Sequence, residues 1–154
     1  MLTDEEKKDI TAELTHCERK EAASVEALKI VQKARGWVSD ASIRDIAAEL
    51  GMTPAELDAV ATFYSFVYRK PVGRHVIQIC DSMVCWSLGL NPLLEQLRKE
   101  LGIGFGETTP DDRFTLLPAS CLGACDQAPA MLVDEDLHGP ITPEILLKIL
   151  DDYK

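Results

Sequence analysis

Through the first seventy residues, apolar side chains recur every three or four positions, which is the spacing of one face of an α-helix. Two of these apolar stripes end just before Gly36 and Gly51, and glycine suits the left-handed residue that closes a helix. Thr3 and Thr53 each have a glutamate three residues later, a pattern typical of a capped helix start. We therefore predict four helices in residues 1–70.

After Gly73, the helical spacing gives way to short β-rich runs that alternate with capped helices. This change predicts a domain boundary at residue 70. We expect an α+β protein in which a helical bundle, residues 1–70, precedes a βαββα domain, residues 71–154. The predicted strands and helices of the second domain are a strand at 75–79, a helix from Asn91-Pro92, strands at 114–117 and 130–133, and a helix from Thr142-Pro143.

Composition and charge narrow the class of protein. The chain has 154 residues, of which 46% are hydrophobic and 27% charged, values typical of a globular protein. Its formal charge of −10 disfavours nucleic acid and anionic lipid as partners. The acidic amino terminus lacks a secretory signal, and no apolar run approaches the roughly 20 residues that a membrane-spanning helix needs. We expect a cytoplasmic protein without direct membrane insertion.

Residues 41–50, the Gly51-Met52-Thr53 turn and the helix that begins at Pro54 resemble a helix-turn-helix, which raises DNA binding as an alternative function. The second helix of this pair carries Glu56 and Asp58 and has no basic residue before Arg69, which is opposite to what phosphate and base contacts require. We therefore interpret the helical domain as a packing surface for a partner protein, with Phe63, Phe66 and Tyr68 as candidate anchors. The alternative is that these aromatic residues form the core of the domain.

Four of the five cysteines form two pairs, Cys80 with Cys85 and Cys121 with Cys125, separated by 35 residues. Cys80 ends the first predicted strand, and Cys121 follows the second. If these strands are parallel, both loops leave the same edge of the sheet and the two pairs converge. Gly123 would let the second loop turn tightly with its amides toward sulfur.

Four converging thiolates match the ligand set of a 2Fe-2S cluster, with two thiolates on each iron. A structural zinc site remains a competing interpretation, although zinc sites more often have two-residue gaps and mostly support domains too small to fold alone. A redox dithiol is disfavoured because the C-x-x-C spacing is absent. The fifth cysteine, Cys17, is interpreted as a packing residue. His16, His75 and His138 are scattered and are not expected to bind metal.

These motifs resemble a known family, the thioredoxin-like 2Fe-2S subunit of NADH:quinone oxidoreductase, respiratory complex I. The resemblance rests on the C-x4-C pair, the Cys121-Leu-Gly-Ala-Cys125 motif and the Ala128-Pro129 step that follows it. It extends into the helical half through Gly36-Trp37, Gly51-Met-Thr-Pro54 and Val60-Ala-Thr-Phe-Tyr-Ser65. The family implies a thioredoxin-like second domain and one 2Fe-2S cluster held by Cys80, Cys85, Cys121 and Cys125.

The resemblance also implies a place in a larger enzyme. Members work with an NADH- and FMN-binding flavoprotein subunit and other peripheral-arm subunits, on the cytoplasmic side of the inner membrane. Related subunits occur in NAD-linked hydrogenases and formate dehydrogenases. No nucleophile with its base and no dinucleotide motif occurs in the sequence, so we predict an electron carrier without stand-alone catalysis.

The local charges lead to one further expectation. Asp81 and Asp126 adjoin ligand cysteines, and no Lys or Arg occurs between Arg74 and Arg98 or between Arg113 and Lys148. We expect this acidic environment to disfavour reduction of an anionic cluster and to lower its potential. Trp86 directly follows a ligand cysteine, so it would shield the cluster, contact the partner subunit, or lie in the core.

Overall fold

The computed structural model describes residues 1–153 and divides into two compact units. The first comprises Met1–Pro71, and the second begins at Val72. Each unit has its own buried apolar cluster. Within the described residues, no helix is both long and apolar enough to cross a membrane.

The first unit contains the four predicted helices. Glycines with positive φ end the second and third, at φ 81° for Gly36 and 71° for Gly51. Both predicted capping boxes form: Glu6 accepts a hydrogen bond from the Thr3 amide at 2.7 Å, and Glu56 accepts one from the Thr53 amide at 2.8 Å. The helices are α1 (Asp4–Leu14), α2 (Ser24–Arg35), α3 (Asp40–Leu50) and α4 (Pro54–Phe63), with a 3₁₀ turn at Lys20–Ala23.

Apolar faces of all four helices form the core of this unit. The largest side chains that are fully removed from solvent are Ile10 of α1, Leu28 of α2, Ile46 and Leu50 of α3, and Leu57 of α4. Burial of each such side chain contributes about 1.5–3 kcal/mol relative to leaving it in water. These buried side chains therefore come from the apolar faces that the helical spacing of the sequence predicts.

The second unit is a four-stranded sheet with helices. Its sheet order is β2-β1-β3-β4, with β1 parallel to β2, β1 antiparallel to β3, and β3 antiparallel to β4. The elements are β1 (His75–Cys80), α5 (Met83–Ser87), α6 (Leu90–Leu101), β2 (Phe114–Ala119), β3 (Met131–Val133), β4 (Asp136–His138) and α7 (Pro143–Asp152), with a 3₁₀ turn at Cys125–Gln127.

The α+β class is confirmed, but the predicted βαββα order was incomplete. The structure adds the short helix α5 and the strand β4. Helix α5 has only five residues, too few for a hydrophobic period to show. Strand β4 is three residues long with one apolar residue, Leu137, between polar neighbours, and it exists because it pairs with β3 across a tight turn. Neither element carries a pattern of its own in the sequence.

Buried leucines and isoleucines attach α6 and α7 to the sheet. Leu90, Leu93 and Leu97 form the buried face of α6, and Leu146, Ile149 and Leu150 form that of α7. Strand β1 is buried over nearly its whole length, as expected for the central parallel strand of a covered sheet. Cys80 is the last residue of this strand, so the core fixes its position.

Candidate metal centre

The parallel pairing of β1 with β2 brings the two cysteine loops together. Cys80 lies opposite Ala119, the last residue of β2, and the Asp81 amide donates to the Ala119 carbonyl at 2.8 Å. Cys121 follows two residues later. The predicted parallel arrangement is therefore present, and both loops leave the carboxyl edge of the same strand pair.

Cys121 and Cys125 form a close pair in the second loop. Their Sγ atoms are 3.8 Å apart. Two thiolates bound to one tetrahedral metal, with metal–sulfur bonds of about 2.3 Å, lie about 3.8 Å from each other. Gly123 has a φ of 78°, and its amide donates to Cys121 Sγ at 3.4 Å. The turn predicted at this glycine thus directs an amide toward sulfur.

Cys80 and Cys85 form the second pair. Both are buried, Cys80 at the end of β1 and Cys85 within α5, and each thiol shifts the pKa of the other. The two pairs are also electrostatically close, because a thiolate at Cys125 raises the pKa of Cys85 and one at Cys80 raises the pKa of Cys125. All four predicted ligands therefore lie in one region of the second unit.

The three thiols with shifted pKa values differ in their surroundings. Burial raises the pKa of Cys80, but hydrogen bonds from the Ser82 hydroxyl and the Leu122 amide offset this and hold the pKa below its ordinary value. Burial raises the pKa of Cys85. The hydrogen bond with Cys121 and its negative charge raise the pKa of Cys125. Of these three thiols, Cys80 is therefore the one whose surroundings most favour the thiolate form.

Main-chain amides surround these sulfurs. The Leu122 and Ser82 amides act to lower the pKa of Cys80, and the Ala130 amide acts to lower that of Cys85. Together with the Gly123 amide, they supply donors to three of the four cysteines. Donors around sulfur are typical of sites that hold anionic metal–thiolate groups, because they stabilise charge without adding a titratable side chain.

The donor set, four cysteines in two pairs, is the ligand set of a group with two irons. Within residues 1–153, no three His, Cys, Asp or Glu side chains converge closely enough to hold a single ion among them. A tetrahedral zinc with four thiolates would require all six sulfur–sulfur distances to be short. Two close pairs instead match a group with two irons and two thiolates on each. The residues present therefore fit a [2Fe-2S] group.

The region around the cysteines is exposed and acidic. Cys121 and Cys125 are exposed, and the Asp126 charge contributes to the raised pKa of Cys125. On α5, Met83 is 82% exposed and Trp86 60% exposed, so the core interpretation of Trp86 was wrong. Apolar residues this exposed beside a functional site are typical of a protein interface.

Two further candidate residues, Cys17 and His75, are not part of the group of four cysteines. Cys17 is half-buried and packs against the core of the first unit. His75 begins β1, at the opposite end from Cys80, and pairs with Asp134 at 2.7 Å. The positions of the Leu122, Ser82 and Ala130 amides near the sulfurs could not be predicted from the sequence, because a main-chain amide leaves no residue-specific signal. Gly123 was the one donor that the sequence could reveal.

Comparison with known proteins identifies the family. The model of the thioredoxin-like [2Fe-2S] ferredoxin family matches residues 10–154. The E subunit of NADH-quinone oxidoreductase from Pseudomonas aeruginosa (strain PAO1) is 50% identical over 99% of this chain and 92% of its own length. Its counterpart from Escherichia coli (strain K12) is 51% identical over the same shares. Fold and site define an iron–sulfur protein of [2Fe-2S] type. The chain belongs to the thioredoxin-like [2Fe-2S] ferredoxin family.

A solved structure shares the fold. The NAD⁺-reducing [NiFe]-hydrogenase in the H₂-reduced state superposes with a TM-score of 0.72 over 85% of this chain. The match covers 22% of that longer chain, at 24% sequence identity. At this identity, the likeness concerns the fold alone.

Proposed function

We propose that this chain is the electron-transfer subunit of an NADH-quinone oxidoreductase, and that Cys80, Cys85, Cys121 and Cys125 hold its single [2Fe-2S] cluster. The observation that carries the proposal is the meeting of two close cysteine pairs at the ends of parallel strands. The relatives that span 99% of the chain support the parent complex. The hydrogenase likeness is much weaker in sequence, so complex I is preferred to a hydrogenase.

The residues of the site have distinct tasks. When bound, a [2Fe-2S] group accepts one electron from a reduced donor and passes one electron to an oxidised acceptor, with no bond made or broken in substrate. The buried pair, Cys80 and Cys85, anchors the group to the sheet. The exposed pair, Cys121 and Cys125, faces the surface at which electrons enter and leave.

The electron donor that fits this carrier is a flavoprotein. NADH delivers two electrons as a hydride, whereas a [2Fe-2S] group accepts one electron at a time. A flavin takes the hydride and releases its electrons singly, so the partner is the NADH- and FMN-binding subunit of the complex. Since the hydride donor is NADH, we place this assembly on the cytoplasmic side of the membrane, together with the other peripheral-arm subunits.

The helical unit offers a second contact surface. Phe63 is 80% exposed and Phe66 39% exposed, and Tyr64 contacts both rings at centroid distances of 5.1 and 5.3 Å. The core interpretation of Phe63 and Phe66 was therefore wrong. We assign this aromatic cluster, residues 63–66, to packing against a partner subunit. Tyr68, the third candidate anchor, is half-buried and contributes less surface.

Anaerobic purification tests the proposal. We expect about two irons and two acid-labile sulfides per chain, with a visible spectrum that dithionite bleaches. Serine at any of positions 80, 85, 121 or 125 should abolish or strongly reduce this content, whereas Cys17→Ser should leave it unchanged. A colourless protein loaded with zinc and lacking sulfide would overturn the proposal.

A further inference from the structure

Ser82 occupies the residue before the first turn of α5, a position where serine ordinarily caps a helix. Its side chain makes no capping hydrogen bond. Instead, Ser82 Oγ lies 3.5 Å from Cys80 Sγ. The capping side chains of Thr3, Ser39 and Thr53 all accept from their own helices, so Ser82 departs from the pattern of this chain.

Binding of Cys80 to iron would determine which of these two groups donates the hydrogen bond. Between a serine and a neutral thiol, either group can donate the hydrogen bond. A cysteine sulfur bound to iron has lost its hydrogen and can only accept. The Ser82 hydroxyl must then be the donor, with the positive end of its O–H dipole toward sulfur.

We propose that Ser82 is a positioning residue that raises the reduction potential of the cluster through a hydrogen bond to Cys80. The inference rests on the proposed function, because it takes Cys80 as a ligand. Reduction adds one electron and one negative charge, so a donor to a ligand sulfur stabilises the reduced state more than the oxidised state. The sequence offers no Lys or Arg between Arg74 and Arg98 to do this instead.

The Ser82 hydroxyl differs from the other donors around Cys80. The Leu122 amide is fixed by the second cysteine loop, and no substitution of its side chain removes it. The Ser82 hydroxyl belongs to a side chain and can be deleted without altering the backbone. Cys80 is only 2% exposed, so water is poorly placed to replace the lost donor. The contribution of this residue to the potential is therefore measurable.

The test compares Ser82→Ala and Ser82→Thr in the full chain, with Ser87→Ala as the matched control. Ser87 lies on the same helix, but its hydroxyl donates to the Val84 carbonyl at 2.9 Å. Each protein is titrated with dithionite, which supplies the electron, and the reduced fraction is followed by electron paramagnetic resonance. For S82A we expect a three- to tenfold fall in the reduced-to-oxidised ratio at a fixed ambient potential, equivalent to about 30–60 mV for one electron. S82T, which retains the hydroxyl, and S87A should match the unchanged protein.

Iron and sulfide content is measured on every sample, which separates the two proposals. An unchanged protein without a cluster would refute the proposed function. Clusters in all variants with equal potentials would refute only the role of Ser82, as would equal shifts in S82A and S82T. Loss of the cluster from S82A but not S82T would support the hydroxyl contact, because Thr keeps that group. Loss from both would assign position 82 to packing and overturn the inference.

Discussion

The carboxylate of Glu6 accepts two hydrogen bonds from the guanidinium of Arg35, at 2.7 Å from Nε and 2.6 Å from Nη2. Glu6 is also the glutamate of the α1 capping box and is only 3% exposed. The Arg35 hydrogen bonds lower the pKa of Glu6 to about 2, from an ordinary value of 4.5. This ion pair therefore joins the start of α1 to the end of α2 and makes their packing dependent on pH.

We predict that Glu6→Gln destabilises the helical unit by about 3 kcal/mol near neutral pH, which corresponds to the pKa shift of Glu6. A carboxylate whose pKa is lowered on folding contributes its full stability above the unfolded value of 4.5 and loses it as pH falls toward 2. The difference in unfolding free energy between the unchanged protein and E6Q should therefore decrease below pH 4.5. Native-state hydrogen exchange of the α2 amides measures this within the first unit.

Glu5→Gln is the control for this experiment, since Glu5 lies on the same turn of α1 and is exposed. It removes the same charge without removing the ion pair. Equal effects of E5Q and E6Q, or a difference between E6Q and the unchanged protein that is as large at pH 2 as at neutral pH, would contradict the assigned role of Glu6.

The Glu6 contact also shows how far the sequence could lead. The capping box between Thr3 and Glu6 is a local pattern, and it was predicted from residues three apart. Arg35 is 29 residues away, and only the packed fold brings it to Glu6. The same division holds at the site: strand order and cysteine spacing predicted the convergence of two loops, but they could not show which amides and hydroxyls would face the sulfurs.

Gly123→Ala is predicted to weaken iron retention. The position has a φ of 78°, which costs a residue with a Cβ about 1–2 kcal/mol, or roughly a five- to thirtyfold change in an equilibrium. Apart from its two chain neighbours, no atom of the described residues lies within 4 Å of the new Cβ, so we attribute the cost to backbone strain. Relief of this strain moves the Gly123 amide away from Cys121. The rate of iron transfer to a chelator measures the effect.

Gly106→Ala provides a matched comparison for G123A. Gly106 has a φ of 79° and the same open surroundings, and it lies in the same unit away from the cysteine loops. We expect G106A to lower the thermal stability of the unit while leaving iron retention close to that of the unchanged protein. Similar iron loss from both variants would attribute the effect to general destabilisation rather than to the cysteine turn.

Phe63→Ser is predicted to weaken assembly with the flavoprotein subunit at least tenfold. An exposed aromatic residue at the centre of an interface commonly contributes about 2 kcal/mol or more to binding. Since Phe63 is 80% exposed, its replacement should leave the stability of the helical unit nearly unchanged. Co-purification of the co-expressed flavoprotein measures assembly, with Leu137→Ser, at 45% exposure on the second unit, as the control. Equal recovery with F63S and L137S would exclude the 63–66 cluster from this interface.

The acidic residues beside the cysteines give a prediction about potential. The second half of the chain, residues 71–154, has 13 acidic and 6 basic residues, and Asp126 already acts against a thiolate at Cys125. Replacing Asp81 and Asp126 with asparagine should ease reduction. We expect the reduced-to-oxidised ratio at a fixed potential to rise about two- to threefold, or about 20–30 mV for one electron. A redox titration that shows no shift, or a fall, would contradict this.

Two experiments test whether the two aspartates affect the reduction potential locally: a change in ionic strength and the removal of a charge elsewhere in the unit. Asp81 and Asp126 are exposed, so an increase in ionic strength should reduce their influence, because the Debye length shortens from about 8 Å at 0.15 M to about 3 Å at 1 M. Glu95→Gln removes one exposed charge from α6 and serves as the control. If E95Q shifted the potential as much per charge as the aspartate variants, the net charge of the unit would set the potential. A shift confined to positions 81 and 126 would assign it to the two charges that adjoin the ligands.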